Sequence, residues 1–148
     1  MRNSPVRHDL IHLKLAEIRE SVTLVRDHLP GNADEFIRLG LVKDGMYKQL
    51  EYAIENVFDI CAILNTDLRL GIPSDDSSLI DHLVRKGILD EQIREKLSGM
   101  KGFRNILVHR YGRIDDTLAY SLLTERIDDF EEFSGVIVAF LKKNAGSG

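Results

Sequence analysis

The chain is poor in the residues that build covalent or metal frameworks. Its one cysteine, Cys61, stands in an apolar run, so no disulfide can close within the chain and a reducing cytoplasm is the expected setting. Cys61 reads as core packing rather than as a catalytic thiol. The five histidines are scattered and form no cluster with cysteine or acidic residues at ligand spacing, so neither a metal nor any other cofactor is expected. Long hydrophobic runs are missing too. Every candidate span is interrupted by charge at three- or four-residue intervals, which argues against a membrane-inserted protein. The first residues show no charged-then-apolar signal segment. Nor is there an excess of positive charge: a net charge of −4 argues against a surface that grips nucleic acid all over, and no DNA partner is expected.

What is present is a soluble, globular balance, with 43% hydrophobic and 30% charged residues. The 148 residues fit a single domain, 1–148, with 144–148 as a frayed tail. A chain of this size buries about two-thirds of its unfolded surface without a covalent staple. No internal repeat or low-complexity segment stands out, and no stretch alternates with period two for more than a few residues, so a sheet is not expected.

Helical periodicity is strong instead. Ile11, Leu15, Ile18, Val22, Val25 and Leu29 recur at steps of four and three, and Pro30-Gly31-Asn32 stops that helix. Met46, Leu50, Ala53, Val57, Ile60 and Leu64 form a second stripe, widened by Tyr47, Ile54, Cys61 and Leu68 into the face of a central helix. Phe36, Ile37, Leu39 and Leu41 carry its apolar content back toward Asp34, although Gly40 and Gly45 each weaken the run by about 1 kcal/mol relative to alanine. Gly71-Ile72-Pro73 ends it. Asp75, Asp76, Ser77 and Ser78 are N-cap candidates for a short helix bearing Leu79, Ile80, Leu83 and Val84, closed by Gly87. Asp90 caps a further short helix with Ile93, Leu97 and Met100 inward, and Gly99 and Gly102 are read as the turn into another helix that Gly112 ends. Asp115 or Asp116 then caps one last long helix through Leu123, Ile127, Phe130, Ile137 and Leu141. The expected architecture is an all-α antiparallel bundle of about five helices. Its stripes are wide enough to leave a face uncovered in a monomer, which favours self-association.

Residues 101–113, KGFRNILVHRYGR, carry the chemistry. Asn105 and His109 are i,i+4 neighbours on one helix face, and Arg104 lies about 100° round with a stem long enough to reach over. Arginine offers a planar fork for phosphate oxygens, histidine moves a proton near neutral pH, and asparagine can fix an imidazole or a sugar hydroxyl. From Arg94 to Arg113 the charges are Arg94, Lys96, Lys101, Arg104, Arg110 and Arg113 against Glu95 alone, in a chain that is acidic overall. A local polyanion site is favoured, with Lys101, Arg110 and Arg113 as further phosphate contacts. Each residue also has a plainer reading. Arg104 could pair with Asp59 or Glu55, Asn105 could mark a helix start, His109 could be satisfied by a nearby carbonyl or carboxylate, and Tyr111 could be an aromatic lid over the bundle end. The acids Asp128, Asp129, Glu131 and Glu132 read as a solvated face. His8, His12 and His28 read as solvent-facing residues of the first helix, and His82 has no partner by spacing.

This stretch resembles the HepT-like HEPN-domain family, whose members carry Arg-x4-His, extended in the HepT branch to Arg-x4-His-x-Tyr. Gly102-Phe103 and the run 104–111 match, and the likeness extends to the long helix around residues 44–70, with its Asp59-Ile60 step and its Gly71-Ile72-Pro73 exit. The resemblance implies a HEPN-like fold and a homodimer in which two copies of the motif face one cleft. It implies a metal-independent endoribonuclease, the toxin of a toxin–antitoxin pair, with RNA as substrate and a cognate MNT-type nucleotidyltransferase as antitoxin. Arg104, Asn105 and His109 would then be catalytic, and Tyr111 would receive AMP from the partner. HEPN-like domains also serve as non-catalytic helical modules, so a nucleotide-binding or scaffold partner of a small nucleotidyltransferase is the alternative.

Overall fold

The computed structural model describes residues 6–109 and 114–146, and these form seven α-helices with no strand among them. In chain order the helices are α1 His8–His28, α2 Ala33–Arg38, α3 Leu41–Asp67, α4 Asp76–Arg85, α5 Glu91–His109, α6 Asp116–Arg126 and α7 Asp129–Gly146. The spine is α3, which buries the whole stripe from Met46 to Leu64 together with Tyr47, Ile54 and Cys61. It packs against α1, α2, α4 and α5, while α7 leans on α1 and α5, and α6 on α2. Side-chain pairs fix the directions. Arg7 meets Asp67, Lys14 meets Asp59 and Ser21 meets Gln49, so partners fall along α3 as they rise along α1. The pairs Asp76–Arg104, Ser77–Lys101 and Asp81–Arg94 make α4 antiparallel to α5 in the same way. Phe36, Leu64 and Phe133 are among the fully buried large side chains, each contributing about 1.5 to 3 kcal/mol through burial.

The bundle is all-α as expected, but the helices divide differently. The backbone at Gly40 has φ +59, a left-handed conformation that separates α2 from α3 and that glycine adopts without strain. Beyond that break, α2 turns Phe36 inward, where its ring lies 5.7 Å from that of Tyr47 and 5.4 Å from that of Tyr120. No turn forms at Gly99 or Gly102. Instead α5 runs unbroken from Glu91 to His109, so the short helix after Asp90 and the motif helix are one. Nor does packing require glycine at Gly99, where a Cβ would meet only the end of the Arg126 side chain at 3.4 Å, an ordinary contact distance.

The last long helix is in fact two, α6 and α7, broken at residues 127–128. The acid run at that break is exposed as expected at Asp128, Glu131 and Glu132, with Asp129 buried, and it carries surface ion pairs to two other helices. Arg26 on α1 pairs with Asp128 and with Glu131, the latter at 2.7 Å, and Lys96 on α5 reaches Asp129 at 3.5 Å and Glu132 at 3.4 Å. Carboxylates at the first turn of α7 also face the positive end of its dipole. At the other end, α7 continues to Gly146, so residues 144–146 are helical. The proposed ending of the motif helix at Gly112 lies outside the described residues.

Candidate active site

The frame around the motif is set by two aspartate pairs that divide their labour in the same way. At α4, Asp75 is the N-cap, accepting from Ser78 N–H at 2.8 Å, which leaves Asp76 free to reach across to α5. At α6, Asp115 caps by accepting from Leu118 N–H at 3.1 Å, and Asp116 reaches across to α3. There Lys43 Nζ lies 2.8 Å from Asp116 Oδ2, and the Tyr47 hydroxyl donates to Oδ1 at 2.6 Å. Burial pulls the Asp116 carboxyl upward, but the hydrogen bonds from Lys43 and Tyr47 outweigh it and hold the group below the ordinary carboxylate range. Burial first, and then the hydrogen bond to Asp116, drives the Tyr47 phenol far above its usual value. This clasp fixes the start of α6, a few residues beyond the motif.

On α5, Arg104 is held from two sides. Its Nη2 donates to Asp76 Oδ2 at 2.9 Å, and its guanidinium lies 5.3 Å from the ring centroid of Phe58 on α3. Neither Asp59 nor Glu55 is its partner. Asp59 turns to α1, where it meets Lys14 at 3.2 Å, and Phe58 is the α3 residue beneath the arginine. Asn105 is exposed and lies well inside α5, which rules out a role as a helix-start cap. His109 is the last residue of α5, one turn past Asn105 on the same backbone face; its side chain lies outside the described residues. Arg110, Tyr111 and Arg113 lie outside them as well.

The basic window is more neutral than its sequence implies. Arg94 pairs with Asp81 and with Glu91, the latter at 2.9 Å, and Lys96 is committed to α7. The hydrogen bond from Arg94 holds the Asp81 carboxyl below its ordinary value. Toward the motif, Lys101 Nζ lies 3.4 Å from Ser77 Oγ. Of the window's cations among the described residues, those nearest the motif are Lys101 and Arg104, the latter paired with Asp76, and Arg126 of α6 adds a further cation beside Gly99.

The motif helix is also incompletely covered. Ile106, Leu107 and Val108 are all half-buried, and a groove of about 300 Å³ between α3, α5, α6 and α7 is lined by Leu50, Ile54, Phe103, Ile106, Leu122 and Phe130, among others. Elsewhere Cys61 is fully buried, and burial pushes its thiol up to about 12, which leaves it un-ionised and apolar in character. His8 is half-buried and hydrogen-bonds Asn144 of α7 at 2.8 Å, so it does not face solvent freely. His12 and His28 are exposed. His82 bonds Asn65 at 2.8 Å and has a structural role beside Gly71. Two residues at the site escaped sequence reading, Asp76 and Phe58. For Asp76 the signal was there: of two adjacent acids before a helix only one can be the cap, so the other is available to a neighbouring helix.

Comparison with known proteins decides the family, because residues 18–137 match the model described as "Ribonuclease HepT-like". The chain belongs to the HepT-like family. It is 34% identical over 109 residues to a putative RNase of Archaeoglobus fulgidus, a match covering 74% of this chain and 76% of that protein. It is 26% identical over 132 residues to the mRNA nuclease HepT of Shewanella oneidensis, covering 89% and 98% respectively. Among solved structures it resembles the tri-AMPylated Shewanella oneidensis HEPN toxin in complex with MNT antitoxin, with a TM-score of 0.79 and 26% identity over 88% of this chain and 98% of that one. The HepT-like fold thus extends from α1 to α7, with residues 104–109 on α5. No helix among the described residues is long and apolar enough to cross a membrane.

Proposed function

We propose that this HepT-like ribonuclease is a cytoplasmic endoribonuclease, the toxin of a toxin–antitoxin pair, and that it cuts RNA without a metal at a cleft shared by two copies of the chain. Its antitoxin partner is an MNT-type nucleotidyltransferase. The observation that carries the reading is the placement of Arg104 and Asn105 on the incompletely covered half of α5, one turn before His109, in a chain of a ribonuclease family.

The reaction needs a base for the ribose 2′-hydroxyl, an acid for the departing 5′-oxygen, and cations for the phosphate oxygens as their charge grows. His109 takes or gives the proton. Arg104 uses one Nη for Asp76 and keeps its remaining N–H donors for non-bridging oxygens. Asn105 orients one of the reacting groups. One imidazole per chain cannot be base and acid at the same moment, so a second copy supplies the other, with the half-buried Ile106 and Val108 contributing apolar surface to the joint. Lys101, Arg110 and Arg113 guide the RNA backbone, with affinity that falls as salt rises.

Size-exclusion fractions assayed for RNA cleavage in EDTA test this reading. Activity is expected to elute with the mass of a dimer and to survive the chelator. Activity confined to a monomer peak would overturn the shared cleft, and a dimer that leaves RNA intact would leave a scaffold for the nucleotidyltransferase in its place.

A further inference from the structure

Resting on that reading, we infer that Asp76 is a positioning residue for RNA cleavage: it fixes the heading of the Arg104 guanidinium, improving turnover at some expense to RNA affinity. The pair is not needed to begin α4, because Asp75 already caps that helix. Nor is it needed to seat α5, which is anchored by the buried Ile93, Leu97 and Met100. A carboxylate and a guanidinium with side-chain exposures of 31% and 21% stabilise the fold by about 1 kcal/mol at most. What the contact does decide is direction. An arginine side chain carries about 2 kcal/mol of rotamer entropy, and here Phe58 beneath and Asp76 at one Nη remove much of that freedom before any substrate arrives. Among the described residues Arg104 makes no other hydrogen bond, so its remaining donors have a fixed heading.

The same carboxylate is an anion beside a site for an anion. It cancels part of the attraction that Arg104 and Lys101 exert on a phosphate, and this gives the inference a signature that general destabilisation lacks: rate and affinity should move in opposite directions. In Asp76→Ala, RNA should bind as tightly as to the parent or severalfold more tightly, with a steeper loss of affinity on adding salt. Turnover should fall by about 10- to 100-fold, the range that misplacement of a group by an ångström commonly produces. Asp76→Glu, which can re-form the pair, should recover most of that turnover. On an Arg104→Ala background the Asp76→Ala change should have no further effect on rate, because a residue that acts only through another is silent once that other is gone.

The experiment is single-turnover cleavage of one short RNA, with its dissociation constant measured in parallel, for the parent, Asp76→Ala, Asp76→Glu, Arg104→Ala and the Asp76→Ala/Arg104→Ala double variant, each checked for helicity and melting temperature. The Nη–H resonances of Arg104 are followed by NMR in the parent and in Asp76→Ala, and rotation about the Cζ–Nη2 bond, slowed by the pair in the parent, should quicken in the variant. Reduced turnover with undiminished affinity, rescue by glutamate and silence on the Arg104→Ala background would support the inference. Turnover at the parent level in Asp76→Ala, weaker RNA binding, a full additional loss in the double variant, or an unchanged Arg104 resonance would each overturn it while leaving the nuclease reading intact. A folded parent that cuts no RNA would overturn the nuclease reading and this inference together.

Discussion

Replacing His109 by alanine is expected to reduce RNA cleavage by about two to four orders of magnitude, the usual cost of removing a proton-transfer group, while the helical bundle remains folded. The fold should tolerate the change because α5 is already seated by the buried Ile93, Leu97 and Met100. Arg104→Ala should cause a loss of similar size, because charge that develops on the phosphate oxygens would lose its preorganised cation. It also strands Asp76, which is 31% exposed and can be solvated by water, and removes the arginine from Phe58, so a lowered melting temperature with the bundle still folded is expected. Growth arrest on expression should disappear with either change. Parent-level cleavage by both variants would mean that the motif has a structural role only.

The second large effect is silencing by AMP on Tyr111. On the proposed reading, a nucleotidyltransferase partner would direct the phenol oxygen of Tyr111 onto the α-phosphorus of ATP with pyrophosphate leaving, and the new phosphodiester would bring a negative charge and an adenosine to Tyr111. The added phosphate can pair with the Arg104 guanidinium and repel incoming RNA, so steric and electrostatic inhibition act together. The similarity to a tri-AMPylated HEPN toxin supports this route. Competing acceptors can be ranked by structure. Tyr47 is buried with its hydroxyl on Asp116, and the Tyr120 hydroxyl donates to Pro30 O at 2.6 Å, which leaves Tyr52, 43% exposed and bonded to Glu17, as the rival. Incubation with ATP, magnesium and the partner should add AMP to Tyr111 by mass mapping and abolish cleavage. Tyr111→Phe should remain a nuclease that this treatment cannot switch off. Modification at Tyr52 with Tyr111 untouched would contradict the mechanism.

The stripes of α1 and α3 were legible because burial on one face imposes its period on sequence: of the apolar residues named for the α3 stripe all are buried but Leu68, which is half-buried at the C-cap. Helix boundaries were harder. A glycine within a helix costs only about 1 kcal/mol, which tertiary packing readily offsets, so Gly99 and Gly102 sit inside α5 while Gly40, with its positive φ, makes a real break. At residues 127–128 the chain leaves the helix and re-enters it with its four-three stripe intact, since Ile127 and Phe130 both remain in the core, and periodicity alone cannot show such a break. At the site, the motif spacing placed Arg104, Asn105 and the backbone of His109 on one helix. Which acid answers Arg104 depended on the turn that brings α4 back antiparallel to α5, a long-range fact that no local pattern encodes. The same holds for the cations: Arg94 and Lys96 looked like part of a basic patch until α4 and α7 supplied their acids.

The most direct test of the central claim is the chemistry of the product ends. A short RNA of defined sequence, incubated with the purified protein in excess EDTA, should yield fragments ending in a 2′,3′-cyclic phosphate and beginning with a 5′-hydroxyl, and His109→Ala should yield none. Fragments with 3′-hydroxyl and 5′-phosphate ends, or cleavage that appears only when a divalent metal is restored, would contradict the account.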